Sequence, residues 1–399
     1  MAISDQKIDF PIFSNTPHVY LDSAATSHKP QSVVDTISRF YQHDYGTVRR
    51  GLYQLSASAT RLFEESRTQI ANFIGAGSAA EIVFTSGATE SINLVANSYL
   101  RPRLQPGDEI LITTLEHHAN FIPWQQLAHA AEANLVILPL DENLDINMEA
   151  ARIKCSPKTR MVALGHISNV TGSINPVREM IDLAHTCGAK VLIDGAQAVA
   201  HTALHVKDLD CDFYTLSGHK IYGPTGVGVL YGKEDILNDM PPYRFGGEMI
   251  LEVTNEYANF KKSPQRFEAG TPNIAGVIGL GAAIRYVRDV SLQRIIQHEE
   301  HLTQYLLSEL NRIKVPIIGN PGERSSLVSF LVDDIHPHDV GTILDSLGIA
   351  VRAGHHCAQP LMRYLGIPAT VRASIGWYND ESDIDALIHG IEQVRKIMK

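Results

Sequence analysis

The chain of 399 residues has no run of about 18 apolar residues, so nothing in it reads as a membrane-spanning helix. Met1 to Phe13 carries acidic and polar residues where a secretory signal has its apolar core, which leaves the cytoplasm as the expected compartment. Basic residues are in deficit. Against 44 Asp and Glu stand 34 Lys and Arg, a formal net charge of −10, and this argues against a protein that grips nucleic-acid phosphates. A small anionic ligand would need basic residues gathered locally. Cysteine is scarce as well: Cys155, Cys187, Cys211 and Cys357 are far apart and never spaced C-x-x-C, which excludes a disulfide scaffold and leaves free thiols. No internal repeat or low-complexity segment is visible.

What is present is an ordinary globular composition, 44% hydrophobic and 20% charged, long enough for a large domain and a smaller one. A strand is expected near Ile82, and others over about Glu109–Thr114, Leu135–Leu140, Arg160–Gly165, Lys190–Asp194, Asp212–Leu216 and Gly226–Tyr231, with helical patterns between most of them. Continuous apolar strands alternating with helices predict an α/β fold whose seven-stranded, mostly parallel sheet is covered on both faces. Beyond Tyr231 the chain is turn-rich, and then a helical stretch runs from about residue 274 to 313, breaking near Asp289-Val-Ser. Residues 1–16 are expected to form an arm packed on a small domain, 17–285 the large domain, and 286–399 a small α+β domain.

The most unusual stretches are Val191-Leu-Ile-Asp194-Gly-Ala-Gln197 and Ser217-Gly-His219-Lys220-Ile-Tyr-Gly-Pro224. Asp194 ends a buried-strand pattern, where ligands of open α/β sheets bind, and a carboxylate there can hold a pyridinium nitrogen protonated. Lys220 lies among glycine, histidine and hydroxyl residues, company in which an amine loses water and turns neutral and nucleophilic. Such a lysine and such a carboxylate are what pyridoxal phosphate (PLP) requires. Each residue alone also suits a common turn or a solvated loop. Thr85-Ser-Gly87-Ala-Thr89-Glu90 reads as a strand, a glycine break and a helix start, a plausible phosphate cradle or an ordinary capped helix.

Other strand ends carry Glu116-His117-His118 and His166-Ile-Ser-Asn169, so ionisable groups converge on one sheet edge. His117 suits ring stacking or proton exchange; His118 suits a hydrogen bond to the next loop. Downstream, Arg352-Ala-Gly-His355-His356-Cys357 surrounds one thiol with groups that favour thiolate, and its lack of a second ligand pair at zinc spacing speaks against a metal. The other three cysteines look structural. Arg372, within a strand-like run, needs an anion such as a substrate carboxylate.

Asp194-Gly-Ala-Gln197 and Ser217-Gly-His-Lys220 resemble class V aminotransferases of PLP fold type I. With Arg352-x-Gly-His-His-Cys357-Ala and Arg372-Ala-Ser, nearly the whole chain resembles group II cysteine desulfurases of the SufS type, near relatives of selenocysteine lyases. The resemblance implies that Lys220 carries PLP, Asp194 pairs its ring nitrogen, Gln197 binds its ring hydroxyl and His117 stacks on it. It makes Thr89, Ser217 and His219 phosphate ligands, Asn169 and Arg372 ligands of the substrate carboxylate, Arg352 a pocket residue, and Cys357 the persulfide carrier. It implies a homodimer in which Arg50 and Thr271 reach the site of the other subunit. It also implies an L-cysteine or L-selenocysteine substrate and a SufE- or SufU-like sulfur acceptor in iron–sulfur cluster assembly. Other class V reactions, epimerisation or transamination, are the alternatives; a non-catalytic scaffold is the distant one. Two positions depart from the pattern: Arg49 stands where relatives often have His, adding charge expected at the pocket mouth, and Ser86 where many have Arg.

Overall fold

A computed structural model describes residues 5–16 and 18–398. From one edge to the other, the large sheet runs Ile82–Thr85, Gly228–Gly232, Phe213–Ser217, Lys190–Asp194, Thr159–Gly165, Glu109–Thr113 and Asn134–Leu138. The Gly228–Gly232 strand is antiparallel to both neighbours, and every other pair is parallel. Side chains alternate between two apolar layers: Val191 and Ile193 join one core, Leu192 the other; Leu111 joins the first, Ile110 and Ile112 the second. Such a strand is buried on both faces, which is why its sequence is apolar throughout rather than every second residue.

The helix Ile274–Val290 ends at Ser291, whose φ is +81°, and a second helix, Leu292–Arg312, continues in a new direction. That break matches the sequence expectation. The second helix packs with Glu381–Ile397 against a three-stranded antiparallel sheet in which Thr370–Ser374 lies between Leu327–Phe330 and Arg352–Gly354. Leu302, Leu306, Val328, Val371 and Leu387 form a separate core there. Residues 1–4 of the expected arm lie outside the described residues. Within the rest of it, Lys7 Nζ reaches Asp380 at 3.0 Å and Asp383 at 2.8 Å, and buried Phe10 packs edge-on against Tyr378.

The turn-rich stretch after Tyr231 contains a short antiparallel hairpin, Ile250–Val253 with Ala258–Phe260, on which Leu251 and Val253 are exposed. A further helix, Gln359–Leu365, begins two residues after Cys357.

Candidate active site

The sheet places its polar strand ends around one cavity of about 200 Å³. Eleven of the thirteen site residues expected from the sequence line it: Thr89, His117, Asn169, Asp194, Gln197, Ser217, His219, Lys220, Arg352, Cys357 and Arg372. Arg50 and Thr271 do not; both are exposed, and Arg50 pairs with Glu248. Arg49 is also away from the cavity, and this corrects the expectation of charge at its mouth. Its guanidinium is tied to Glu64 at 2.6 Å and Glu268 at 3.2 Å, within a network whose centre is the buried Arg67–Glu268 pair.

Lys220 follows the Phe213–Ser217 strand in a single 3₁₀ turn. Burial pushes its amine down to about 8, with the facing Asp194 pulling the other way. Asp194 is buried at the tip of the neighbouring strand, accepts the Ala196 N–H at 3.0 Å, and is held above the usual carboxylate range by loss of water. His117 Nδ1 accepts the Ala119 N–H at 3.1 Å, and burial lowers its pKa to about 3. The ring is therefore neutral, with its proton on Nε2.

At one end of the cavity Ser217 Oγ accepts the Ala88 N–H at 2.9 Å. This contact needs two chain segments to touch: a Cβ on Gly228 would stand 2.4 Å from Gly87 Cα. Ser27 and Lys29 donate to the His219 carbonyl, while burial brings the His219 ring down to about 4. At the other end Arg372 is buried in the middle strand of the small sheet. Its Nη1 donates to the Asn169 carbonyl at 2.8 Å and Nη2 to Asp22 at 3.1 Å, while Nε has no partner among the described residues. Asn169 Nδ2 donates to the His356 carbonyl at 2.6 Å. The cavity thus has a neutral-leaning amine, an anion-seeking guanidinium and a thiol on its walls.

The family model for class V aminotransferases matches residues 19–387. The chain belongs to the class V aminotransferase family. Within that family it is similar to a protein from Halalkalibacterium halodurans named probable cysteine desulfurase, with 49% identity over 97% of this chain and 96% of that one. A cysteine desulfurase from Escherichia coli O139:H28 is 46% identical over 100% of this chain and 99% of its own. Among solved structures, the apo cysteine desulfurase of Thermococcus onnurineus NA1 superposes with a TM-score of 0.95 at 40% identity, covering 99% of both chains.

The class V cofactor, PLP, fits the residues present. Among the described residues the Lys220 amine has no hydrogen bond or ion pair to give up before covalent attachment. Asp194 is a buried carboxylate short of donors, suited to a protonated ring nitrogen. Among the described residues no three His, Cys, Asp or Glu side chains gather as a metal site.

The sequence reading gave no role to several residues at this class V site. Glu116 lines the cavity fully buried, accepting from Thr113 at 2.7 Å, Asn120 at 2.6 Å and the Gly165 N–H at 2.8 Å, and burial raises its carboxyl to about 8. Asn175 also lines the cavity, with Nδ2 on the Gly165 carbonyl and Oδ1 without a partner among the described residues. Asp22, which no motif singled out, is the counter-ion of Arg372. A carboxylate beside His117 was the one available signal for Glu116; nothing local marks the other two.

Proposed function

We propose that this protein is a PLP-dependent cysteine desulfurase that converts L-cysteine to L-alanine and leaves the sulfur as a persulfide on Cys357. The observation that carries the reading is that Lys220, Arg372 and Cys357, from three separate stretches of sequence, line one cavity. When bound, PLP supplies an electron-accepting ring joined to the substrate amine. Asp194 holds the proton of the ring nitrogen, and Gln197 binds the ring hydroxyl. Ser217, His219 and Thr89 hold the phosphate.

Arg372 and Asn169 orient the substrate carboxylate, the guanidinium presenting the fork that matches it. Arg352 adds positive charge to the same wall. Lys220 Nζ takes the Cα proton, a task for which a pKa near 8 is well placed. The Cys357 thiolate then attacks the substrate sulfur: the S–S bond forms as the Cβ–S bond breaks, and its electron pair stays on carbon. A proton delivered there yields alanine, with His117 in position to exchange it. The net change is one thiol and one cysteine to one persulfide and one alanine.

The exposed Arg50 and Thr271 support a homodimer in which each subunit completes the other's site. In the same reading residues 17–285 bind the cofactor, 286–399 carry the Cys357 turn, and 1–16 form the arm. The Cys357 thiol sits in a short turn between a strand ending at Gly354 and a helix starting at Gln359, so it cannot swing far to deliver sulfur. A protein acceptor of the SufE or SufU kind, serving iron–sulfur cluster assembly in the cytoplasm, fits that confinement. No helix among the described residues is long and apolar enough to cross a membrane.

Alanine release from L-cysteine by the PLP-loaded protein, lost in Cys357→Ala with PLP retained, tests the reading. A Cys357→Ala variant that still turns over selenocysteine but not cysteine separates sulfur transfer from selenocysteine lysis.

A further inference from the structure

His118 meets the Cys357 turn with both backbone and ring. Its N–H donates to the Cys357 carbonyl at 2.7 Å, and its Nε2 accepts the Gln359 N–H at 3.1 Å. A ring nitrogen that accepts a backbone N–H carries no proton, so this imidazole is neutral with its proton on Nδ1. The two bonds bracket Cys357-Ala358-Gln359. His117, the preceding residue, lines the cavity, so one short segment touches both the cofactor position and the thiol's backbone.

The turn is held under strain. His356 and Cys357 have φ of +51° and +55°, the left-handed region that costs any residue with a Cβ. Within the turn, His355 Nδ1 accepts the Cys357 N–H at 3.2 Å. From outside, Asn169 holds the His356 carbonyl and His118 holds the next two points along the chain. Loss of such tethers lets strained backbone relax toward extended conformations, carrying the thiol with it.

We propose that His118 is the positioning residue for sulfur transfer, clamping the Cys357 turn so that the thiol stays on the cavity shared with Lys220 and Arg372. This rests on the reading of Cys357 as the sulfur-accepting thiol. His118 touches neither substrate nor cofactor in this account; it acts through the turn.

The clamp can be cut from either side. His118→Leu removes the acceptor. Gln359→Pro removes the donor at the first position of a helix, where proline is tolerated. In the PLP-loaded protein each variant should slow single-turnover persulfide formation on Cys357 about tenfold, the worth of a lost hydrogen bond of this kind. PLP content and the KM for L-cysteine should stay near wild type, and iodoacetamide should alkylate Cys357 several-fold faster. The double variant should be no slower than the slower single one, because both cut the same bond. His118→Gln, whose Oε1 can accept the same N–H, should recover most of the rate.

A wild-type transfer rate in either single variant overturns the proposal. So do multiplying effects in the double variant, or His118→Gln as slow as His118→Leu. If His118→Leu fails to fold, Gln359→Pro decides by itself. Wild-type protein that puts no persulfide on Cys357 would instead defeat the underlying reading.

Discussion

The Lys220 amine and the Asp194 carboxylate face one cavity from the ends of neighbouring strands, each pushed by burial toward its neutral form and each drawn by the other toward its charged form. That balance leaves the lysine nucleophilic near neutral pH while a carboxylate stands ready for a protonated ring. The chemistry at Lys220 should therefore show a pH dependence set by a pKa near 8.

The first prediction uses the cofactor-free protein. The neutral fraction of Lys220 rises about tenfold per pH unit below its pKa and levels above it. PLP uptake should climb from pH 6 and flatten near pH 8. A rate still climbing at pH 10 would show an ordinary lysine, and Lys220→Ala should bind PLP without a covalent link, as read by mass spectrometry after borohydride reduction.

Glu116 gives a stability prediction with a definite sign. Its folded pKa of about 8 lies above the unfolded value near 4.5, so its contribution is full below pH 4.5 and is lost as pH rises through 8. Glu116→Gln can donate to Thr113 and still accept from Asn120 and Gly165. The variant should match wild type in melting temperature near pH 5 and exceed it near pH 8.5. Parallel curves for the two proteins between pH 5 and 8.5 would refute the raised carboxyl.

Much of this site was legible in the sequence because strand ends announce themselves: an apolar run that stops at Asp194 or Ser217 marks both the sheet edge and the residue on it. Lys220, His117, Asn169 and Arg372 were found that way or through motif resemblance. Arg49 was not, since a guanidinium solvated at the surface and one locked between Glu64 and Glu268 read alike until Glu268, far along the chain, is brought beside it. Asp22 and Asn175 were hidden for the same reason. The hairpin at 250–260 was missed because its exposed Leu251 and Val253 break the usual pattern of one buried face. His118 was expected to bond the next loop; the loop it bonds is that of Cys357.

The dimer reading predicts complementation. Lys220→Ala and Arg50→Ala should each be inactive alone, but protomers mixed and reassembled should regain up to about a quarter of wild-type activity, since half the dimers are then mixed and each contains one site with both residues intact. No recovery in mixtures shown by native mass spectrometry to contain heterodimers would place Arg50 outside the partner's site.

The central claim is that sulfur leaves L-cysteine for Cys357, and thiol-trapping mass spectrometry after a brief exposure of the PLP-loaded protein to L-cysteine tests it directly. The added sulfur should map to Cys357 alone, one per chain, with one alanine formed, and should vanish when a SufE- or SufU-type acceptor is supplied while turnover rises several-fold. Sulfur on Cys155, Cys187 or Cys211, or alanine formed at full rate with no sulfur on Cys357, would contradict it.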